Sequence, residues 1–278
     1  MSRIGANTRL LAVIGDPIRH SLSPSIHNYW IDECGLDYAY LAFQVRAGGG
    51  ADFVRAARTL EIAGFNVTMP LKEELYPLMD SLDPSALGSV NTVINRDGLL
   101  TGASTDGDGF LRALASHGRE VKGLRTVLLG AGGAARTVAG ALAGAGACLS
   151  VCVRNKEKAR GIAPPGLLFN WEALPELCRE AGLLVNATPL GMEGFADFGS
   201  LDFLSALPPG AFVFDLIYSP PRTALLREAE RLGLDCANGL THLVHQAALS
   251  FGRFTGVEPD GRLVAGALGL CEGAVRGR

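Results

Sequence analysis

The apolar run Val127-Leu128-Leu129 leads straight into Gly130-Ala131-Gly132-Gly133-Ala134-Ala135, and an Ala-rich stretch with helical spacing follows. A strand that ends in glycine at the first and third positions and a small residue at the sixth, just where a helix opens, restricts the fold more than anything else in this chain. Gly130 permits a tight turn, Gly132 lets the backbone approach a pyrophosphate, and Ala135 allows the helix to lie close on its sheet. The free N–H groups of that helix start, from Gly133 and Ala134 onward, suit phosphate. Glycine-rich turns are common in a chain with 36 glycines. The strand before the run and the helix after it separate this one from an ordinary loop.

Strand and helix patterns alternate on both sides of the fingerprint. Leu10 to Ile14 reads as a buried strand broken at Gly15-Asp16-Pro17, after which Ser23 is placed to cap a helix that Pro24 opens. Tyr38 to Val45 alternates as a second strand, Phe53 to Leu60 has helical spacing, and Phe65 to Thr68 is a short strand ending at Pro70. Further strands are expected over Ser89 to Ile94 and Leu99 to Thr101. A turn-rich hinge at Thr105 to Gly109 then precedes a helix near Phe110 to His117. Beyond it, strands at Val127 to Leu129, Leu149 to Val153, Leu183 to Asn186 and Phe212 to Leu216 surround helices at Ala134 to Leu142 and Lys156 to Ile162. Helical stretches at Leu240 to Phe254 and Arg262 to Leu270 can return to the first half. The pattern predicts an α/β chain of two domains with mostly parallel sheets and ligands at the carboxyl ends of the strands. Residues 1–106 with 239–278 form an N-terminal α/β substrate domain, and residues 107–238 form a C-terminal Rossmann-like domain.

Composition enters through what it excludes. The net charge is -3 and the lysines and arginines are scattered, so there is no footprint for nucleic acid or an acidic membrane. No apolar run is long enough to span a bilayer, and Met1 to Asn7 lacks the pattern of a signal peptide, which leads us to expect a cytoplasmic protein acting on a small molecule. The 48% apolar content accommodates two ordinary cores or a homodimer interface. Six spread cysteines form no C-x-x-C pair and are expected to be reduced and mostly buried; His242 and His245 stand three apart with no acidic residue or cysteine near them in sequence, a poor metal site, so no metal is expected.

With a dinucleotide half present, a chemical half is needed. Reducing a ketone with a nicotinamide requires a proton donor near the carbonyl oxygen, and Lys72, after the strand and loop Asn66-Val67-Thr68-Met69-Pro70-Leu71, lies where an α/β sheet places its ligands. Alone it reads by default as an ordinary first-turn helix lysine. Asp106 in a glycine-rich loop could hold the ammonium charged and aimed; whether the two meet is not written in their spacing. Ser21, Ser23, Asn66, Thr68, Asn91, Thr92 and Gln246 are short neutral partners that suit a polyhydroxylated ligand, and each taken singly is also a turn or cap residue. After the second strand of the Rossmann-like half stands Arg154, where NAD-specific sites usually present a carboxylate. A guanidinium there favours the 2′-phosphate of NADP(H), or is a solvated loop charge.

These residues together resemble the shikimate dehydrogenase family over nearly the whole chain. Ser21-Leu22-Ser23-Pro24 with His27-Asn28 resembles its H-S-x-S-P loop, Asn66 to Lys72 its N-V-T-x-P-x-K segment, Gly88 to Thr92 its G-A-V-N-T, and Thr105-Asp106-Gly107 its T-D-G. Gly130 to Arg136, the Arg154 segment, Asn186 to Met192, Asp215 to Tyr218 and Gly239 to Gln246 match five further motifs. The resemblance implies NADPH-dependent reduction of 3-dehydroshikimate to shikimate, a step toward aromatic amino acids, in a cleft between two domains. It makes Lys72 and Asp106 the catalytic pair; Ser21 and Ser23 bind the carboxylate, Thr68, Asn91, Asp106 and Gln246 the ring hydroxyls, with Tyr218 close to the substrate. For the cofactor it implies Gly130, Ala131, Gly132, Gly133, Ala134, Arg154, Asn155, Lys158, Thr188, Leu216, Gly239 and His242. The chain departs from the pattern at Ser104, Val153, Asn155 and His242, the last standing where the family has Met beside the nicotinamide; it reads as a polar contact or as a space-filler. A paralogue acting on quinate or an aminated analogue would keep Lys72 and Asp106, whereas a non-catalytic NADPH-sensing module would leave Lys72 a surface charge.

Overall fold

A computed structural model of the chain describes residues 4–157, 159, 161–163 and 167–276. It forms two compact units, Met1–Gly109 with Leu243–Arg278, and Phe110–His242.

The first unit is built from β1 (Arg9–Gly15), α1 (Ser23–Glu33), β2 (Tyr38–Gln44), α2 (Gly50–Thr59), β3 (Gly64–Val67), α3 (Lys72–Leu75), β4 (Ser81–Leu82), β5 (Thr92–Arg96) and β6 (Leu99–Ala103), with α4 (Asp106–Ser116) starting at its end. Strand order is β2-β1-β3-β5-β6-β4. Leu11, Ala12, Val13 and Ile14 of β1 are all buried, as expected of a strand covered on both faces. β1 runs parallel to β2 and β3, but β5 is antiparallel to both β3 and β6, so the sheet is mixed rather than mostly parallel. The reason is legible in Asp97-Gly98. Both residues take positive φ, 53° and 85°, and close a two-residue hairpin of the kind Asp-Gly favours.

Ser23 is the first residue of α1 rather than its cap, and its N–H donates to Ser21 Oγ at 3.3 Å. Pro24 occupies the first turn, where a missing N–H costs nothing.

The second unit carries β7 (Arg125–Leu129), α5 (Gly133–Gly144), β8 (Cys148–Cys152), β9 (Leu168–Phe169), α6 (Leu174–Cys178), β10 (Leu183–Asn186), β11 (Phe212–Asp215), α7 (Ala224–Arg231) and β12 (Asp235–Ala237) in an all-parallel sheet of order β12-β11-β10-β7-β8-β9. Alternate residues serve two cores. Leu128, Val151, Val185 and Phe214 pack on one face, and Val127, Leu129, Leu184 and Val213 on the other. Among the described residues the helix expected over Lys156 to Ile162 is not seen: Lys156, Glu157, Ala159, Gly161 and Ile162 lie in turns. Ala159 is buried and Ile162 is half-buried against the core, while Lys156, Glu157 and Gly161 are exposed.

The chain ends in α8 (Leu240–Thr255) and α9 (Gly261–Arg276). α9 returns to α1, where Trp30 Nε1 donates to the Leu263 carbonyl at 3.0 Å. All six cysteines are free, but only Cys152, Cys178 and Cys271 are buried, half the number rather than most.

Candidate functional site

The mixed sheet of the first unit decides which loops meet. Because β1 and β3 are parallel, the loops after Gly15 and Val67 leave from one edge, carrying Ser21 and Ser23, and Thr68 and Lys72. Antiparallel β5 starts at that same edge, with Thr92 opposite Asn66, and β6 returns to it, with Ala103 opposite Thr92. Asn91 and Asp106 are thereby delivered beside the lysine loop. Gln246 comes from α8, which approaches so closely that a Cβ on Gly109 would lie 2.6 Å from Gln246 Cβ and 2.7 Å from its backbone N. Only glycine fits there.

Lys72 Nζ donates to Asp106 Oδ2 at 2.6 Å, and Asn91 Nδ2 donates to the other carboxylate oxygen at 2.7 Å. Asn91 Nδ2 also lies 3.1 Å from Thr105 Oγ1 and 3.3 Å from Gln246 Oε1. Lys72, Asp106, Asn91 and Gln246 thus form one hydrogen-bonded group. Thr68 stands on the adjoining loop, its methyl against Gly15, and Ser21 and Ser23 pair with each other. An ammonium held on a carboxylate and ringed by amide and hydroxyl groups can give a proton to a ligand oxygen while orienting neighbouring hydroxyls. Thr105 was quoted in sequence only as part of a motif; its backbone N–H donates to Asn91 Oδ1 at 2.8 Å, so it orients the asparagine. Tyr40, whose hydroxyl donates to Asn66 Oδ1 at 2.7 Å, has no sequence signal, since nothing in a strand tyrosine announces what its hydroxyl reaches.

The second unit bears the fingerprint. Gly130 follows β7 with φ 119°, and a Cβ on it would come within 2.9 Å of the Ala187 carbonyl, so glycine is required. Around Gly132 the space is open, and α5 begins one residue later with Gly133 and Ala134; Arg136 N donates to Gly132 O at 3.0 Å at this end. Ala131 is half-buried against the core, and Ala135 is fully buried where helix meets sheet.

Arg154 is exposed just past β8, the strand beside β7. Asn155 Oδ1 is engaged locally by Glu157 N–H at 2.9 Å; Lys158 lies outside the described residues. Thr188 is fixed through both its N–H and its hydroxyl to Asn186 Oδ1, at 3.0 and 2.7 Å. The Leu216 carbonyl lies against Gly239 so tightly that a side chain there would collide with it. His242 is buried, its ring edge-on to Phe110 at 6.1 Å, and Tyr218 follows the end of β11. Asp215 at that end accepts from Thr223 Oγ1, Asn186 Nδ2 and Ile217 N–H, which ties together the loops bearing Thr188, Leu216 and Tyr218. Burial nevertheless pushes its carboxyl up to about 6 against the pull of these bonds. Glycine turn, open backbone and helix start fit a dinucleotide pyrophosphate.

A paired lysine and carboxylate in one α/β unit and a dinucleotide fingerprint in the other define an α/β protein of the dinucleotide-dependent dehydrogenase class. Residues 13–93 match the protein-family model described as the shikimate dehydrogenase substrate binding domain. The curated shikimate dehydrogenase (NADP(+)) of Alkaliphilus metalliredigens is 39% identical over 268 residues, 91% of this chain and 94% of its own. A solved shikimate 5-dehydrogenase from Thermus thermophilus, in complex with NADP(H) and shikimate, has a TM-score of 0.85 at 36% identity and covers 95% of this chain and 99% of its own. That from Listeria monocytogenes, in complex with shikimate and NAD, has a TM-score of 0.83 at 36% identity, covering 96% and 99%. The chain belongs to the shikimate dehydrogenase family.

Proposed function

We propose that this protein reversibly reduces 3-dehydroshikimate to shikimate with NADPH. The Lys72 contact to Asp106, in a chain 39% identical to a curated NADP(+)-dependent shikimate dehydrogenase, carries the reading. Gly130, Gly132, Gly133 and Ala134 hold the pyrophosphate and Arg154 the 2′-phosphate. When bound, the reduced nicotinamide supplies the hydride that adds to the carbonyl carbon.

Lys72 gives its proton to the carbonyl oxygen as negative charge develops there, and takes it back from the hydroxyl in the reverse direction. Asp106 keeps the ammonium aimed and accepts a hydrogen bond from a ring hydroxyl, with Asn91, Gln246 and Thr68 meeting the remaining hydroxyls. Ser21 and Ser23, at the start of α1, receive the substrate carboxylate.

Initial rates of nicotinamide reduction, with shikimate and quinate crossed against NADP⁺ and NAD⁺, test the reading. Preference for shikimate with NADP⁺ supports it. Activity only with quinate or only with NAD⁺ assigns the chain another substrate or cofactor, and no activity with any pair removes the enzymatic reading.

A further inference from the structure

Behind Asn91 a line of side chains runs from the catalytic carboxylate into the core of the first unit. Tyr40 OH donates to Asn66 Oδ1 at 2.7 Å, Asn66 Nδ2 reaches Thr92 Oγ1 at 3.3 Å, Thr92 Oγ1 donates to Asn91 Oδ1 at 2.8 Å, and Asn91 Nδ2 donates to Asp106 Oδ1 at 2.7 Å. All five residues are buried.

The direction of every bond is fixed by groups that can act only one way. Asn66 Nδ2 also faces the main-chain carbonyl of Asn91 at 3.1 Å, which can only accept, so its amide cannot be turned over. Asn91 Oδ1 faces the main-chain N–H of Thr105, which can only donate, so its NH₂ must face the carboxylate. The Thr92 hydroxyl, receiving from one amide and giving to the other, has one consistent orientation. At the far end Tyr40 lies stacked on His27, ring centroids 4.1 Å apart and planes 8° from parallel. Burial raises the phenol well above its ordinary range, so it remains a donor. Four donors therefore point the same way and end on the oxygen of Asp106 that Lys72 does not hold. Hydrogen bonds aligned in series in a dry interior polarise one another, each strengthening the next.

We propose that Tyr40, Asn66 and Thr92 are positioning residues for the reaction, acting through Asn91 to hold the Asp106 carboxylate, and with it the Lys72 ammonium, in the reactive orientation. This rests on the proposed dehydrogenase reading. These three side chains are buried behind Asn91, in the unit that lacks the dinucleotide fingerprint, so their loss shows in kcat and leaves cofactor binding alone. Thr92 is the joint. Its hydroxyl is the link between the two amides, and valine has its shape without that group, while Asn91 keeps its Thr105 N–H bond and loosens rather than turns over.

The test is steady-state oxidation of shikimate with NADP⁺ by wild type, Thr92→Val, Thr92→Ser, Tyr40→Phe and the Tyr40→Phe/Thr92→Val double variant, each checked for a wild-type-like melting transition. Thr92→Val and Tyr40→Phe are expected to lower kcat by about fivefold, the loss of one buried hydrogen bond, with KM for NADP⁺ unchanged. Thr92→Ser retains the hydroxyl and restores kcat. The double variant falls no further than Thr92→Val alone, because a chain already cut at its joint has nothing more to lose. The proposal is overturned if Thr92→Val and Tyr40→Phe both keep the wild-type kcat, if Thr92→Ser falls as far as Thr92→Val, or if the two losses multiply. Should Thr92→Val not fold, Tyr40→Phe decides, and an unchanged kcat there overturns the proposal. A wild type that does not turn over shikimate sinks the dehydrogenase reading and this proposal together, whereas full activity in the variants of an active wild type sinks only this one.

Discussion

Lys72 meets Asp106 at 2.6 Å with the lysine side chain 17% exposed and the carboxylate 5%. A buried carboxylate in that position depends on its cation, because removing one partner of a desolvated pair strands the other. Lys72→Met keeps the stem and removes the ammonium. We expect its kcat to fall by about 10²- to 10⁴-fold, the usual worth of a positioned acid, with KM for NADP⁺ little changed. Initial-rate measurements check this, and a variant with wild-type turnover would remove Lys72 from the chemistry.

A second prediction concerns acid stability. His27 is fully buried among Trp30, Tyr40, Phe251 and Phe254, neither ring nitrogen has a hydrogen-bond partner, and burial drives its pKa down to about 3 from 6.5. The unfolded chain therefore takes up this proton first as pH falls. His27 leaves stability intact above about pH 6.5 and costs up to about 1.4 kcal/mol per pH unit below it, down to about 3. His27→Phe keeps an aromatic face against Tyr40 and should flatten that slope, whatever its pH-independent packing cost. Urea unfolding of both proteins at several pH values between neutral and about 4 measures the difference; parallel curves would mean that His27 does not titrate on unfolding.

Asp215 is expected to act in the opposite sense. Its folded pKa is raised to about 6 from 3.8, so between those values the folded state holds the proton that the unfolded chain has released. Stability from this group is full below about pH 3.8, declines as pH rises, and is lost once pH passes about 6. Asp215→Asn should remove the decline. The Thr223 hydroxyl can turn to accept from the new amide, so the isostere leaves Thr223 and the Ile217 N–H with partners. A steeper loss of stability from pH 4 to 6 in the variant than in wild type would contradict the assignment.

Strands buried on both faces and the glycine-opened helix were legible because their signals are local: continuous apolar runs at Leu10 to Ile14 and Val127 to Leu129, and a turn only glycine can make at Gly130. The polar residues of the site were legible as types but not as a group. What joins Lys72 to Asp106, 34 positions apart, is the antiparallel return of β5 and β6, and the Asp97-Gly98 hairpin that sets it lies outside every motif. The contact from Asn91 to Gln246 spans 155 positions and depends on the missing side chain of Gly109. Tyr40 stands in no motif and His27 enters one without its burial being legible, because a buried hydroxyl or imidazole has no spacing signature; what they do follows from what surrounds them.

Cofactor choice supplies the last prediction. Arg154 is exposed just past β8, whereas its neighbour Val153 is buried and the Asn155 side chain is taken up by Glu157 N–H. Neither neighbour can therefore replace a lost guanidinium, and no carboxylate stands at this position to repel a 2′-phosphate. Arg154→Ala removes a charge-assisted contact worth about 1.5–3 kcal/mol in such settings, so KM for NADP⁺ should rise by about 10- to 100-fold. NAD⁺ has no phosphate there, and its KM should stay within about twofold of wild type, a change too small for a lost charged hydrogen bond. Kinetics with both cofactors at saturating shikimate separate the two cases. A parallel rise for NAD⁺ would assign Arg154 to the shared part of the dinucleotide, and no rise for either would leave it a solvated loop charge.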